Sequence, residues 1–228
     1  MPAPKILIAI PSFGNIYFET TVSLLNLRDN CPFNTAIKLK KATYVHTARN
    51  RFVYDAVATE ATHLMFIDAD MQFKPNAFNK MVEKSIKRNL DLVGGLYVSR
   101  FNEKTNIIKK IIKPKDGESF LQDIKELPTT KDLFEVDVIG TGFLLIKMDV
   151  FKKLNPPFFY YTNPKEFGMK EVPFPNSELG EDVVFCLNAK KAGFQIFCDP
   201  TIELGHIGDR TYRHPQFGET EKIPGEIE

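Results

Sequence analysis

The chain has 228 residues, of which 43% are apolar and 26% are charged, a composition typical of a folded domain that excludes wholesale disorder. Its 30 basic and 29 acidic residues give a formal net charge of +1, so no overall positive field favours nonspecific binding to nucleic acids or membranes. The 3 cysteines match neither a disulfide framework nor a zinc-binding pattern, which is typical of a reducing compartment. No apolar stretch is long enough to cross a membrane and the first residues do not resemble a signal peptide, so we expect a cytoplasmic protein without integral membrane association.

Short apolar runs alternate with helical patterns over roughly the first half of the chain. The runs that predict buried strands cover residues 6–10, 35–39, 64–67 and 92–98. Between them, the spacing of apolar residues predicts helices over residues 16–28, 45–61 and 75–88. Strands that alternate with helices in this way predict an α/β fold with a mainly parallel sheet.

The second half of the chain is less regular. Residues 105–136 contain charged turns between short β-like pieces, which predicts a hairpin or loop excursion within the same domain. Strand composition returns over residues 136–147, and residues 178–192 predict a helix, followed by short strands around Ile196 and Ile202. The Phe- and Tyr-rich segment 155–178 predicts a long surface loop.

The strongest candidates for chemistry are Asp68 and Asp70, which follow the apolar run at residues 64–67. A buried parallel strand delivers its last residues to the edge of the sheet where ligands bind in open α/β folds. Carboxylates two residues apart on an extended segment point to the same side, so together they can hold one divalent cation. A polar loop with helix-capping side chains would explain the same two residues without a ligand.

Acidic residues also open a helix at Glu181 and Asp182. The helix dipole favours acidic side chains at this position, so the pair has a purely structural explanation. A carboxylate beside a substrate pocket can equally take the proton of an attacking hydroxyl, which makes the pair a candidate general base.

Histidine and arginine side chains are the remaining candidates. His206 follows a short strand and can complete a metal site, although an isolated histidine is more often structural. Arg49 lies early in a helix, while Arg210 and Arg213 lie in the last twenty residues, which predict a polar tail or lid. Each arginine can bind phosphate or remain paired or solvated at the surface.

Seven motifs, taken in order, resemble the GT-A glycosyltransferases, in particular the family 2-like group. They read PSFGN, TARNRFV, THLMFIDADMQF, GGLYVSR, VIGTGFLLIKMDVF, GEDVVFCLNAKKAGFQIFCDP and GHIG, and they extend from about Lys5 to Gly208. The resemblance implies one Rossmann-like α/β/α domain over residues 1–208. Its half at about residues 1–100 would bind a nucleotide-diphosphate sugar, and its half at about 101–208 would shape the acceptor site. A tail or lid would follow at 209–228.

The resemblance also implies roles for individual residues. The expected donor-binding residues are Pro11, Ser12, Arg49, Asp68, Ala69, Gly142, Arg210 and Arg213. Asp70 would bind Mn²⁺ or Mg²⁺ directly, with His206 and Asp68 completing the site. The acidic pair Glu181 and Asp182 would supply the catalytic base of an inverting transfer, for which Asp182 is the first choice. A UDP-sugar is the favoured donor.

Other functions stay open on the sequence alone. In a retaining glycosyltransferase Asp182 would orient a substrate instead of acting as the base. A sugar nucleotidyltransferase would normally have a glycine-rich basic loop after its first strand, and residues 11–15 do not match that pattern. A non-catalytic nucleotide-sugar-binding protein is the third alternative. The sequence does not distinguish among four kinds of acceptor: a glycan, a lipid-linked sugar, a protein and a modified nucleic-acid base. The aromatic side chains of segment 156–174 can either stack on the acceptor or pack internally.

Overall fold

The structure is a computed structural model that describes residues 3–100, 102–129, 132–170, 178–208, 211–214 and 216. Its strands are β1 (Lys5–Ser12), β2 (Asn34–Lys41), β3 (His63–Ile67), β4 (Met71–Phe73), β5 (Leu92–Gly95), β6 (Val98–Ser99), β7 (Asn102–Asn106), β8 (Ile108–Ile112), β9 (Phe120–Asp123), β10 (Phe134–Val136), β11 (Val138–Ile139), β12 (Phe143–Lys147), β13 (Ile196–Asp199), β14 (Leu204–Ile207) and β15 (Thr211–Arg213). Its α-helices are α1 (Phe18–Asn30), α2 (Val45–Ala58), α3 (Pro75–Arg88), α4 (Met148–Lys153) and α5 (Glu181–Lys191).

Within this part of the chain, the main sheet has 7 strands in the order β10-β13-β5-β12-β3-β1-β2. Strands β1, β2 and β3 are parallel to one another, and β5 and β13 are parallel to each other. Strand β12 lies between β3 and β5 and is antiparallel to both. The five strands β1, β2, β3, β5 and β13 therefore all run in one direction. Edge strand β10 is antiparallel to β13. The predicted α/β fold with a mainly parallel central sheet is therefore confirmed.

Strand β3 shows why the sheet lies at the centre of the fold. All of its residues are buried, and successive side chains point to opposite faces of the sheet. Leu64 and Phe66 join a core that includes apolar residues of α2, whereas Met65 and Ile67 join a core that includes apolar residues of α1 and α3. Because both faces are covered by helices, β3 has a continuous apolar sequence instead of an alternating one.

The predicted helices agree with the structure apart from their ends. Helix α3 spans the predicted residues 75–88. It begins at Pro75, and Asn89, in the left-handed conformation, caps its end after Arg88. Helix α2 ends at Ala58 instead of Ala61, because Glu60 has a φ of +52° that a right-handed helix does not allow.

Two short strands, β4 and β14, differ from the prediction. The sequence pattern missed β4, which follows the two aspartates, because three residues are too few to show a period. The strand predicted around Ile202 begins at Leu204 instead. Strand β4 pairs with β14, and β14 pairs with β15, in a separate small antiparallel sheet. Strand β15 lies within the residues predicted as a tail or lid.

The middle of the chain contains the predicted hairpin, since β8 and β9 pair antiparallel around the charged turn at residues 113–118. The Phe- and Tyr-rich segment is described up to Lys170, and residues 171–177 lie outside the described part. No helix in the described part of the chain is long and apolar enough to span a lipid bilayer.

We expect Phe159→Ala to destabilise the fold strongly. Phe159 is fully buried, and its ring lies 4.5 Å from that of Phe185 and 5.4 Å from that of Phe66. Its truncation would leave a cavity between α5 and the sheet, and such changes reduce the free energy of unfolding by about 3–5 kcal/mol. Urea denaturation measures the loss. Phe18→Ala, at a side chain that is 78% exposed, is the control and should change the value by less than about 0.5 kcal/mol.

Candidate functional site

A cavity of about 700 Å³ opens where β1 and β3 end. Its wall contains eight residues that the sequence singled out, namely Pro11, Ser12, Arg49, Asp68, Ala69, Asp70, Glu181 and His206. The ends of parallel strands meet at one edge of an α/β sheet, which explains how residues so distant in sequence share one cavity. The fold therefore brings Asp68, Asp70, Glu181, His206 and Arg49 together, whereas Asp182 and Gly142 are not among the residues that line this cavity.

A buried arginine joins two of the carboxylates. Arg49, on α2, places Nη2 2.7 Å from Oδ1 of Asp68 and Nη1 2.6 Å from Oε1 of Glu181. Its side chain is only 4% exposed. Burial alone would lower the pKa of Arg49, but the two carboxylates outweigh burial and raise it, so the guanidinium stays charged.

Asp68 is held at the base of the cavity by the loop before β12. Its backbone N–H donates to the carbonyl of Gly142 at 2.9 Å, and the N–H of Gly142 donates to the hydroxyl of Tyr97, also at 2.9 Å. A Cβ on Gly142 would lie only 2.6 Å from that hydroxyl oxygen, so this close approach requires glycine. Burial raises the pKa of Asp68, while the neighbouring Arg49 opposes the shift.

Asp70 faces a different set of partners. The N–H of Ile207 donates to the backbone carbonyl of Asp70 at 2.7 Å, which fixes β14 against the acidic loop. Oδ2 of Asp70 lies 3.5 Å from Nε2 of His206 and 2.9 Å from Nη1 of Arg100. Burial would raise the pKa of Asp70, but the hydrogen bond and charge of His206, together with Arg100, lower it. Asp70 therefore stays ionised.

The pair formed by Asp70 and His206 has the chemistry of a metal site. Nδ1 of His206 lies 2.9 Å from the carbonyl oxygen of Val98, which can only accept, so Nδ1 carries a proton and Nε2 faces Asp70. A histidine fixed in this way is the usual arrangement of metal-binding imidazoles. The described residues contain no group of three or more His, Cys, Asp or Glu side chains suited to a metal, so this part of the chain offers a pair of ligands.

The adjacent acids Glu181 and Asp182 have different surroundings. Glu181 lies in the cavity wall, bound to Arg49, and accepts a hydrogen bond from the hydroxyl of Tyr161. Asp182 is half-buried, and its Oδ1 accepts the N–H of Val183 at 2.7 Å. Its burial and the neighbouring negative charge of Glu181 raise the pKa of Asp182 to about 6. Asp182 is thus the better placed of the two to accept a proton near neutral pH.

The other expected donor-binding residues vary in what they can offer. The hydroxyl of Ser12 donates to the carbonyl of Asn15 at 2.7 Å and accepts the N–H of Gly14 at 3.0 Å, so it shapes the loop after β1. Arg210 lies outside the described residues. The backbone of Arg213 belongs to β15, but its side chain also lies outside the described part.

Sequence reasoning missed three side chains at the site, namely Tyr97, Arg100 and Tyr161. Tyr97 and Arg100 belong to the motif GGLYVSR, whose position after an apolar strand was the available signal. Tyr97 supports Gly142, and Arg100 binds Asp70. Tyr161 was part of the Phe- and Tyr-rich segment, in which nothing distinguished it from residues that pack internally.

Comparisons with known proteins point in one direction. The sequence profile of the family described as Glycosyl transferase family 2 matches residues 23–155. The crystal structure of A197 from STIV has a similar fold, with a TM-score of 0.65 and 19% identity, over 98% of this chain and 96% of that one. The crystal structure of GalNAc-T7 with UDP, GalNAc and Mn²⁺ superposes with a TM-score of 0.60 and 10% identity, over 90% of this chain and 44% of that one. At these identities the two structures share the fold. No curated protein sequence matches the chain.

We expect Arg49→Ala to destabilise the protein by about 3–5 kcal/mol, because it leaves the buried carboxylate of Glu181 and the half-buried carboxylate of Asp68 without their cation. Chemical denaturation of the purified variant measures this loss. Arg51→Ala removes an exposed arginine from the same helix and is the matched control. Equal stability of the two variants would show that the buried ion pairs contribute little.

Proposed function

The chain belongs to glycosyl transferase family 2, and from this premise we propose that it transfers a sugar from a UDP-sugar to an acceptor hydroxyl with inversion, using a divalent metal ion. The observation that carries the proposal is the meeting of Asp70 and His206 in one cavity with Arg49 and Glu181. A protein that only bound a nucleotide would need neither a carboxylate of raised pKa next to Glu181 nor a metal-ligand pair in the cavity wall.

Asp70 and His206 are the residues that would hold the metal, with Asp68 nearby in the same loop. Mn²⁺ suits a site of one carboxylate and one imidazole, and such ions keep positions for phosphate oxygens and water. When bound, the metal would neutralise the negative charge that develops on the departing nucleoside diphosphate. UDP and Mn²⁺ are the first donor and metal to test, since both are present in the structure of GalNAc-T7 that shares this fold.

The cations of the cavity suggest how the donor would be oriented. Lys41 and Arg100 lie in the cavity wall, and Lys41 can contact the diphosphate, whereas Arg100 is paired with Asp70 at 2.9 Å. Arg49 is committed to its two carboxylates, so we assign it the positioning of Asp68 near the ribose and not a phosphate contact. Pro11, Ser12 and Ala69 would line the donor side of the cavity, and Gly142 would support Asp68 from beneath.

Asp182 would be the general base. A base needs a free lone pair and a pKa close to the working pH. Glu181 is bound by Arg49 and Tyr161, whereas Asp182 has a raised pKa. In an inverting transfer, Asp182 would take the proton of the acceptor hydroxyl. The hydroxyl oxygen would attack the anomeric carbon from the face opposite the nucleotide, and the bond to the nucleoside diphosphate would break.

We expect UDP-sugars with Mn²⁺ to raise the melting temperature of the wild-type protein, and EDTA to abolish the shift. The Asp70→Asn variant should lose the metal-dependent shift, because the substitution removes the anionic ligand that faces His206. The measurement is a thermal-shift panel of UDP-, GDP-, CMP- and TDP-sugars, each with Mn²⁺ and with EDTA.

The control for this panel is Asp116→Asn, which neutralises an exposed aspartate outside the cavity wall. It should respond to the donors as the wild type does. An undiminished metal-dependent shift in Asp70→Asn would exclude Asp70 as a ligand. Formation of UTP and a sugar 1-phosphate from a UDP-sugar and added pyrophosphate, instead of UDP, would identify a nucleotidyltransferase.

We expect Asp182→Asn to lower kcat by about 10²–10⁴-fold while the donor still binds, because the amide cannot accept the acceptor proton. Since the pKa of Asp182 is about 6, the wild-type kcat should fall as the pH drops below that value and level off above it. This fall of kcat at low pH should be absent in Asp182→Asn.

Glu181→Gln is the comparison variant, and it should reduce stability more than kcat, because it weakens the pair with Arg49. NMR of the product's anomeric carbon provides the second measurement. Retained configuration, or a normal kcat in Asp182→Asn, would contradict the proposed role of Asp182.

A further inference from the structure

Three aromatic side chains form a continuous patch beside the cavity. Tyr44 precedes α2 and is 63% exposed, His46 lies in the first turn of α2, and Tyr161 is 45% exposed. The ring of His46 lies 5.6 Å from that of Tyr44 and 5.3 Å from that of Tyr161. Tyr44, His46 and Tyr161 are called the aromatic patch below.

The two tyrosines of the aromatic patch are more exposed than two phenylalanines of the Phe- and Tyr-rich segment that contains Tyr161. Phe158 and Phe159 come from the same Phe- and Tyr-rich stretch, but both are buried against Phe151 and Phe185 in the core. Their packing explains them fully. The rings of Tyr44 and Tyr161 instead stay open to solvent, and the core needs neither of them.

The patch is continuous with the catalytic cavity. Tyr161 lies in the cavity wall, and its hydroxyl donates to the carboxylate of Glu181, next to the proposed base. Val45, which lies between Tyr44 and His46 in sequence, is also part of the cavity wall. A molecule that stacks on the patch can therefore extend into the cavity on the side of Glu181 and Asp182.

From this arrangement we propose that the aromatic patch binds the acceptor, and that the acceptor is a neutral glycan. This inference rests on the proposed function. Exposed tyrosine rings offer an apolar face with a polar edge, which suits the C–H face and hydroxyl rim of a sugar ring.

The charges beside the patch favour a neutral acceptor over a phosphorylated one. Arg49 is the cation bound to Glu181, and it is already paired with two carboxylates. Arg49, Asp68 and Glu181 together therefore carry a net negative charge. This charge repels an anionic acceptor, whereas Lys41 in the cavity wall attracts the diphosphate of the donor.

The test is saturation-transfer NMR of the full chain with UDP and Mn²⁺. The probes are neutral disaccharides that end in glucose, galactose, mannose, N-acetylglucosamine or N-acetylgalactosamine, each with its phosphorylated counterpart. The wild type should bind at least one neutral disaccharide more tightly than its phosphorylated form. Tyr44→Ala should weaken that binding about tenfold, while Tyr44→Phe, which keeps the ring, should restore most of it.

The matched control is Tyr54→Ala, which removes an exposed tyrosine of α2 that lies outside the patch and the cavity wall, and it should bind the disaccharide as the wild type does. A melting curve of each variant verifies that it is folded. The affinity for UDP is measured in parallel, so that loss of the acceptor is distinguished from loss of the donor.

Several results would overturn the proposal. It fails if no neutral disaccharide binds, if Tyr44→Ala binds one as well as the wild type does, or if the phosphorylated forms bind more tightly. An equal loss of UDP and disaccharide affinity in Tyr44→Ala would assign the patch to the nucleobase instead. Absence of UDP binding to the wild type would refute the proposed function, whereas disaccharide binding that depends on Tyr44 would still support the patch.

Discussion

The buried guanidinium of Arg49 is the interaction on which the candidate site depends. It joins α2 to the end of β3 and to the start of α5, across 19 and 132 residues of sequence. A buried charge is tolerated only when its partners compensate for the lost hydration, so the positions of Asp68 and Glu181 are fixed together with it. The same pairing holds Glu181 in place, and its neighbour Asp182, which has a higher pKa than an ordinary aspartate, is the base in the proposed mechanism.

The two aspartates of the acidic loop divide between two clusters of charge. Asp68 belongs to the cluster of Arg49, whereas Asp70 faces His206 and Arg100. Their spacing predicted that they would share one side of an extended segment and one cation, but residues 69 and 70 form a turn after β3. Both aspartates lie in the wall of one cavity, yet they face different partners. The spacing could not predict that Asp68 would be bound by an arginine, since that depends on a helix folded against the strand. A metal would therefore depend on Asp70 more than on Asp68.

Long apolar patterns made most of the fold predictable, because strands such as β3 and helices such as α3 bury enough side chains to show a period. Strand β4 was missed because its three residues show none. The site was predictable in its residue types, since Asp70, His206 and Glu181 were all singled out. Its pairings were not, because Arg100 and Tyr161 approach their partners only through the tertiary fold. Sequence alone also could not separate the adjacent acids Glu181 and Asp182, whose environments differ through Arg49.

The small sheet of β4, β14 and β15 determines whether Asp70 and His206 can act together. His206 pairs with Met71, and Ile207 donates its N–H to the carbonyl of Asp70, so backbone hydrogen bonds set the approach of the two side chains. Side chains alternate along a strand, and a slip of one residue would therefore turn His206 to the opposite face of this sheet. Strand β15 pairs with β14 on the other side, with Tyr212 opposite His206. Strand β15 thus supports the register of the proposed metal pair from the side of β14 that faces away from β4.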